Sequence, residues 1–229
     1  MEKEKILARQ NAEQRVVYLS PKELSEKLSA KSILYMPVGS IEWHNEHLPI
    51  GTDTFHAEAL TMELCGITGG AVLPSFWWNT DGCHRHPSTY YTPQENYRQM
   101  LSVLLRGFMD FQVKMIVLVN GHGGGNQIKS VAMVADEINR AGDFPIHLAV
   151  VDVCDLQHEN IDHADKGETS LSMRLIPQLV RMEREITPDL YSGEMPFADG
   201  MPTEKKGDEM FWELMADALK IIEREYNNI

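Results

Sequence analysis

The feature that most constrains the fold is a set of short apolar runs that alternate with longer segments of helical periodicity. The run at 114–120 (KMIVLVN) is apolar almost throughout, which is typical of a strand buried on both faces of a sheet. Similar runs occur at 32–38, 71–74 and 146–153, and helical patterns occur at 21–30, 55–66, 93–111, 126–142, 167–182 and 205–226. This alternation predicts an α/β fold with a largely parallel sheet covered on both faces by helices. We expect a single domain over residues 1–229.

Composition narrows the classes of partner and compartment. The net charge of −13 opposes binding to nucleic-acid phosphates. The three cysteines (Cys65, Cys83 and Cys154) lie far apart without a CxxC pair, which argues against a disulfide framework and a structural zinc site. No stretch approaches the ~18 apolar residues of a membrane span, and residues 1–19 lack the pattern of a secretory leader. We therefore expect a cytoplasmic protein without nucleic-acid or membrane partners.

Polar side chains follow three of the predicted strands directly. They lie at 42–53, 120–126 and 152–155. In open parallel sheets, ligands bind outside the carboxyl ends of the strands. We expect these three segments, distant in sequence, to meet at one edge of the sheet.

The first segment, GSIEWHNEHLPIGTD (39–53), carries a potential ligand set for a metal ion. In an extended stretch Glu42 and His44 point to the same side, and Asp53 follows after a turn. Carboxylate oxygen and neutral imidazole nitrogen are ligands for Zn²⁺, Mn²⁺ and Fe²⁺. A solvated polar loop is the ordinary alternative for any E-x-H, but the position directly after a strand favours a metal site.

The second segment, NGHGGGN (120–126), holds His122 on a glycine-rich loop. It is not a P-loop, because Lys129 comes four residues after the last glycine, and it fails the dinucleotide fingerprint at Asn126. A plain turn is the alternative. A histidine between glycines after a buried strand is better interpreted as a positioned ligand.

The third segment, DHADKGETS (162–170), combines His163 with Glu168 at the start of a helix. A carboxylate there is favoured by the helix dipole, which is the simpler explanation. The alternative is a metal ligand with His163 as a nearby proton carrier.

A further stretch at 77–91 is rich in histidine and aromatic residues. His84 and His86 follow Trp77 and Trp78, and such a segment could wall a pocket. Because aromatic residues are more often part of a core, this stretch adds little to the functional argument.

Together the three segments resemble the signatures of the creatininase family. PVGSIEWHNEHLPIGTD resembles PxGSxExHGxHLPxGTD, NGHGGGN resembles NGHGGN, and HADKGETS followed by LIPQLV resembles H-A-x-x-x-E-T-S followed by a P-x-L-V helix. Their order and spacing agree over about residues 34–182. The resemblance implies a three-layer α/β/α sandwich, a dinuclear metal centre, hydrolysis of a C–N bond in a cyclic amide or formamide, and a homo-oligomer, commonly a hexamer.

The resemblance also implies roles for individual residues. It implies two divalent ions (Zn²⁺ or Mn²⁺, with Fe²⁺ also suited) held by Glu42, His44, Asp53, His122 and Glu168. Asp53 would bridge the ions, and His163 would transfer a proton.

Three departures from the family pattern affect the expected substrate. Asn45 stands where the family usually has Gly, Gly124 where creatininases have a metal-binding Glu, and Cys154 where they have a Trp. We therefore expect a small cyclic amide other than creatinine. Two alternatives remain open: C–C hydrolysis of an inositol-derived cyclic diketone on the same centre, and a non-catalytic metal-binding or small-molecule-binding protein.

Overall fold

The structure is a computed structural model that describes residues 13–156 and 162–229. Its parallel sheet has the strand order β2-β1-β3-β4, with β1 at Ile33–Val38, β2 at Ala71–Val72, β3 at Met115–Asn120 and β4 at His147–Asp152. The helices around it are α1 Pro21–Ala30, α2 Thr52–Thr68, α3 Gln94–Arg106, α4 Gly125–Ala141, α5 Lys166–Leu175 and α6 Glu204–Asn227. These elements confirm the predicted α/β fold.

Side chains of the strands alternate between two apolar cores. Leu34 and Met36 pack in one core with residues of α1, α3 and α4. Ile33 and Tyr35 pack in the other core with residues of α2, α5 and α6. Because successive strand side chains point to opposite faces, apolar runs at every position require helices on both sides of the sheet. The three-layer sandwich is therefore confirmed.

Two predicted helices are shorter than their periodic patterns. The segment 93–111 is helical only to Arg106, and Gly107 follows as the C-terminal cap. The segment 167–182 is helical to Leu175, because a residue before proline is disfavoured in the α region and Pro177 has no N–H to donate. Pro177–Leu179 form a separate 3₁₀ turn.

The strand order creates a switch point between β1 and β3. The chain leaves β1 through α2 towards β2, and it leaves β3 through α4 towards β4, on the opposite face of the sheet. Such a divergence opens a crevice at the carboxyl ends of the two strands. The register pairs Val38 with Asn120 and Asn120 with Asp152, so three strands end level with one another. The predicted meeting of the polar segments is confirmed.

No helix within residues 13–156 and 162–229 is long and apolar enough to span a bilayer. Residues 1–12, which form most of the N-terminal stretch considered for a leader, lie outside the described residues. The single-domain interpretation of residues 1–229 stays a prediction.

Candidate metal centre

The loop between β1 and α2 delivers the first group of side chains to the crevice. His44 is fully buried, and its Nδ1 donates to the carbonyl oxygen of Glu42 (3.0 Å). This hydrogen bond turns Nε2 towards Oδ1 of Asp53, 3.1 Å away. Asp53 lies in the first turn of α2 and is buried. Its Oδ2 accepts a hydrogen bond from the hydroxyl of Ser40. The loop therefore presents a ring nitrogen and a carboxylate to the same point.

The loop after β3 brings His122 to the other side of Asp53. Nδ1 of His122 is 2.8 Å from Oδ2 of Asp53 and 3.1 Å from Oε2 of Glu42. Glycines make this approach achievable. A Cβ at Gly121 would overlap the carbonyl oxygen of Asp53, and a Cβ at Gly124 would lie 2.5 Å from Nε2 of His122. The ring of His122 thus occupies the space in which a side chain at position 124 would begin.

Glu168 supplies a third carboxylate from the first turn of α5. Asp165 caps this helix by accepting the amide of Glu168 (2.8 Å), which fixes where the turn begins. Oε2 of Glu168 accepts the amide of Ala164, and Oε1 lies 3.6 Å from Nε2 of His44. The side chain therefore both stabilises the first turn and reaches the crevice.

Among the described residues, two sets of potential metal ligands share Asp53. One set is Glu42, Asp53 and His122, and the other is His44, Asp53 and Glu168. Within each set the ligand atoms lie within 4.8 Å of one another, and a third grouping joins Glu42 and His44 with His163. One oxygen of Asp53 faces each histidine. All six side chains predicted for the site are thus brought together.

Opposite charges determine the protonation of this cluster. Burial raises the pKa of Asp53, but His44 and His122 outweigh it and hold the pKa well below its usual value. Burial lowers the pKa of His122, but Glu42 and Asp53 raise it to about 10. The cluster thus favours ionised carboxylates with cations between them. A divalent metal ion competes with protons for these same atoms.

His163 differs from the other histidines of the cluster. Its Nε2 donates to the carbonyl oxygen of Trp43 (2.5 Å), and its ring stacks on His84 with centroids 3.8 Å apart. Burial and the neighbouring His44 lower the pKa of His163 to about 4, so the ring is neutral near pH 7. Nδ1 is then the nitrogen left to take up a proton.

His84 and Asp189 also belong to the site, although the sequence gives His84 only a weak signal and Asp189 none. Nδ1 of His84 lies 3.3 Å from Oε1 of Glu42, and Nε2 lies 2.8 Å from Oδ2 of Asp189. The histidine content of 77–91 was the available signal for His84. Asp189 lies in an irregular segment, where nothing local distinguishes it from other acidic residues.

Other residues of the 77–91 stretch lie elsewhere. His86 interacts with the hydroxyl of Ser88 (2.7 Å), Trp77 packs against Phe55, and Trp78 against Tyr90. The predicted pocket wall is therefore formed by His84 and Gly82 from this stretch and not by the tryptophans.

A cavity of about 300 Å³ opens onto the cluster. Its wall includes the glycine loop 121–125 and, close to it, Cys154. A Cβ at Gly123 would lie 2.9 Å from Sγ of Cys154, so the loop and the end of β4 are tightly packed. His56 also borders the cavity, one helical turn after Asp53, and its Nε2 is 2.8 Å from the hydroxyl of Ser172.

Comparisons with known proteins identify the family of the chain. A family model described as creatinine amidohydrolase (creatininase) matches residues 18–213. The chain is 27% identical to 3-dehydro-scyllo-inosose hydrolase of Thermotoga maritima over 177 residues, which cover 72% of this chain and 57% of that protein. It is 29% identical to mycofactocin precursor peptide peptidase of Mycolicibacterium smegmatis over 185 residues, 76% of this chain and 69% of that protein. The match to the Thermotoga protein thus spans little more than half of that protein's length.

Solved creatininase structures have the same fold. A crystal structure of creatinine amidohydrolase (creatininase) superposes with a TM-score of 0.74 at 20% identity, covering 93% of this chain and 97% of that chain. A structure described as "Creatininase Mn" gives a TM-score of 0.75 at 19% identity, covering 93% and 98%. With the family match over 196 residues, 18 to 213, these findings show that the chain belongs to the creatininase family.

Proposed function

We propose that this chain is a metal-dependent hydrolase that cuts a C–N bond in a small cyclic amide other than creatinine. The observation that carries the proposal is the pair of ligand sets that share the carboxylate of Asp53. A carboxylate between two sets is the arrangement expected of a bridging ligand in a two-metal site. The hydrolase and the peptidase among its relatives support hydrolysis as the general reaction.

The chemistry of the donor atoms fits divalent metal ions. The set contains three carboxylates and two imidazoles and no thiolate, which suits Zn²⁺, Mn²⁺ and Fe²⁺. Oε2 of Glu42 is buried without a hydrogen-bond donor in good geometry, which is costly unless a cation satisfies it. Structures described as a Zn-Zn type mutant creatininase and as "Creatininase Mn" support zinc and manganese as candidates.

The protein's own groups would orient the reactants and move the proton. Bound divalent ions supply an activated water and polarise a carbonyl. His163, neutral and held through Nε2 by the carbonyl of Trp43, accepts a proton at Nδ1 and returns it to the leaving group. Gly123 and Gly124 line the cavity, and their backbone amides are candidate donors to a developing oxyanion.

Cavity size favours a small substrate. A volume of about 300 Å³ lies at the lower end of ligand sites. A cavity of this size can enclose a compact molecule more completely than an extended peptide. This favours a cyclic amide over the peptide substrate class named for the mycobacterial relative.

A second candidate reaction is C–C hydrolysis of a cyclic diketone derived from a polyol. The observation that favours it is the similarity to 3-dehydro-scyllo-inosose hydrolase. On the same centre, His163 would return the proton to an enolate carbon instead of a nitrogen. Product analysis with a panel of cyclic amides and a panel of polyol diketones distinguishes the two reactions.

Metal content of gently purified protein tests the proposal directly. We expect about two metal equivalents per chain in the wild type and fewer than about one in Asp53→Ala, because both ligand sets lose a member. Asp143→Ala is the control, since Asp143 is exposed and pairs with Arg106 at 3.0 Å. Wild-type protein that binds neither Zn²⁺ nor Mn²⁺ when supplied would overturn the metal centre.

Turnover then separates the enzyme from a binding protein. We expect hydrolysis on one of the two panels, abolished in His122→Ala together with binding of the metal ion held by Glu42, Asp53 and His122. Metal bound at the expected content without turnover on either panel would favour the non-catalytic binding protein. Full activity of His122→Ala on the identified substrate would contradict the ligand assignment.

A further inference from the structure

We infer that His84 and Asp189 are positioning residues that hold one oxygen of Glu42 and leave the other for a metal ion. The inference rests on the proposed metal centre. It concerns a side chain from the 77–91 stretch and one from the irregular segment after residue 186, neither of which belongs to the two ligand sets.

The two oxygens of Glu42 have different surroundings. Oε1 accepts the backbone amide of His84 and also lies 3.3 Å from Nδ1 of the same residue. Oε2 has no hydrogen-bond donor in good geometry and lies 3.1 Å from Nδ1 of His122. A carboxylate held in this way through one oxygen presents a single oxygen, in a fixed direction, to the shared point with Asp53 and His122.

Asp189 lies against the far side of the His84 ring, in close contact with it but outside good hydrogen-bond geometry. Its Oδ2 lies 2.8 Å from Nε2 of His84. Its Oδ1 accepts the amides of Tyr191 (2.9 Å) and Ser192 (2.8 Å), so the carboxylate cannot turn away without breaking its own turn. The chain Asp189–His84–Glu42 therefore links a loop 147 residues away in sequence to a candidate ligand.

Aromatic contacts hold the ring of His84 on both sides. His163 stacks on it at 3.8 Å between centroids with an interplanar angle of 15°, and Tyr191 meets it edge-on at 4.6 Å. The hydroxyl of Tyr191 donates to the carbonyl of Cys83 (2.8 Å), next to His84 in the chain. Rotation of the ring is thus opposed by packing as well as by polar contacts.

Groups that orient metal ligands from behind change metal affinity without touching the ion. Loss of such a partner typically costs ~10–100-fold in affinity. Without the His84 ring, Oε1 of Glu42 keeps the backbone amide of residue 84 but loses the contact with Nδ1, so the carboxylate is held less firmly in its direction. We expect the set that contains Glu42 to weaken, while the set of His44, Asp53 and Glu168 keeps its affinity.

Zinc titration of metal-free protein against a competing chromophoric chelator tests the inference. In His84→Ala we expect one of the two Zn²⁺ affinities to fall by about 10–100-fold and the other to stay unchanged. Asp189→Asn should weaken the same site by a smaller factor. His84→Asn, whose amide lies near the position of Nδ1, should recover part of the loss.

His86→Ala is the matched control. His86 is two residues away, interacts with Ser88 and packs on Trp43 at 5.7 Å between centroids. Its loss should leave both Zn²⁺ affinities unchanged. Thermal unfolding of each metal-free variant identifies any variant that does not fold. If His84→Ala does not fold, the Zn²⁺ affinities of Asp189→Asn decide the test instead.

The outcomes separate this inference from the proposed function. If His84→Ala and Asp189→Asn both bind two Zn²⁺ ions as tightly as the wild type, the positioning role is overturned and the metal centre stays intact. Equal weakening of both sites would also overturn it, because that pattern indicates general destabilisation. Failure of the wild type to bind Zn²⁺ would overturn the proposed function and the inference together.

Discussion

At the scale of single residues, Asn45 accounts for one departure from the family signature. Its backbone is left-handed, with φ of 59°, a conformation that Gly adopts freely and Asn tolerates better than most residues. Its side chain also binds the segment that carries Asp189. Nδ2 donates to the carbonyl of Thr187 (2.7 Å), and Oδ1 accepts the amide of Thr187 (3.1 Å). Asn thus adds a tether that Gly lacks.

This geometry predicts an order of stability for two substitutions of Asn45. Asn45→Gly keeps the backbone conformation and loses the side-chain hydrogen bonds to Thr187 and Glu46, so we expect a loss of about 1–2 kcal/mol in the free energy of unfolding. Asn45→Ala loses the same bonds and adds about 1–2 kcal/mol of left-handed strain. Urea denaturation of the three proteins measures the order, and an alanine variant as stable as the glycine variant would contradict it.

At the scale of elements, the crevice depends on how closely the loop after β3 approaches the start of α2. A Cβ at Gly121 would lie 2.2 Å from the carbonyl oxygen of Asp53 and 3.3 Å from the side chain of Ala57. The carbonyl oxygen of Asp53 is a backbone atom in the first turn of α2, so it cannot move aside as the end of a flexible side chain could. The distance between the two elements, and hence the pairing of His122 with Asp53, is set by the absence of a side chain at 121.

Gly121→Ala should therefore separate the two elements. We expect a loss of about 1–3 kcal/mol, as for other overpacked sites, with weaker metal binding. Gly125→Ala, at the start of α4, is the control, because a Cβ there meets no atom within 4 Å. It should be neutral or stabilise by up to about 1 kcal/mol, since alanine restricts the unfolded chain. Denaturation and zinc titration of both variants measure the effects, and equal stability of the two would contradict the close-approach argument.

At the scale of the whole molecule, Asp152 makes folding stability depend on pH. Burial raises the pKa of this carboxyl to about 6 from 3.8, although hydrogen bonds from Asn120 and from the amides of Asp155 and Cys154 lower it in part. The folded chain therefore holds this proton more tightly than the unfolded chain. The stabilisation is fully present below about pH 4 and is lost as the pH rises through about 6.

Asp152→Asn removes the titrating group while keeping its size. The carboxylates of the metal cluster have lowered pKa values and act in the opposite direction, so variant and wild type must be compared at each pH. We expect the unfolding free energy of the variant, minus that of the wild type, to rise by up to about 3 kcal/mol between about pH 4 and pH 7.5, at ~1.4 kcal/mol per pKa unit. Chemical denaturation across this range measures the difference in unfolding free energy, and a difference independent of pH would contradict the assignment.

The predicted homo-oligomer also belongs to the scale of the whole molecule, and it stays a prediction.

The sequence by itself determined the layers of the fold and the candidate metal ligands that gather at the site. Apolar runs such as 114–120 place apolar side chains on both faces of a strand, so both faces must be covered by helices. This pattern is local and can be recognised without information on distant contacts. Polar residues directly after β1 and β3 must lie at the carboxyl edge, because parallel strands end on the same side. Glu42, His44, Asp53 and His122 were predictable for that reason.

Tertiary structure alone decided the strand order and the support behind the ligands. The switch point between β1 and β3 depends on which strands pair, and pairing between distant segments leaves no periodic signal in either one. The same holds for Asp189, whose meeting with His84 joins two irregular segments 105 residues apart, from 84 to 189. Contacts of this kind arise from packing across the whole chain, whereas periodicity reports only on the local surroundings of each residue.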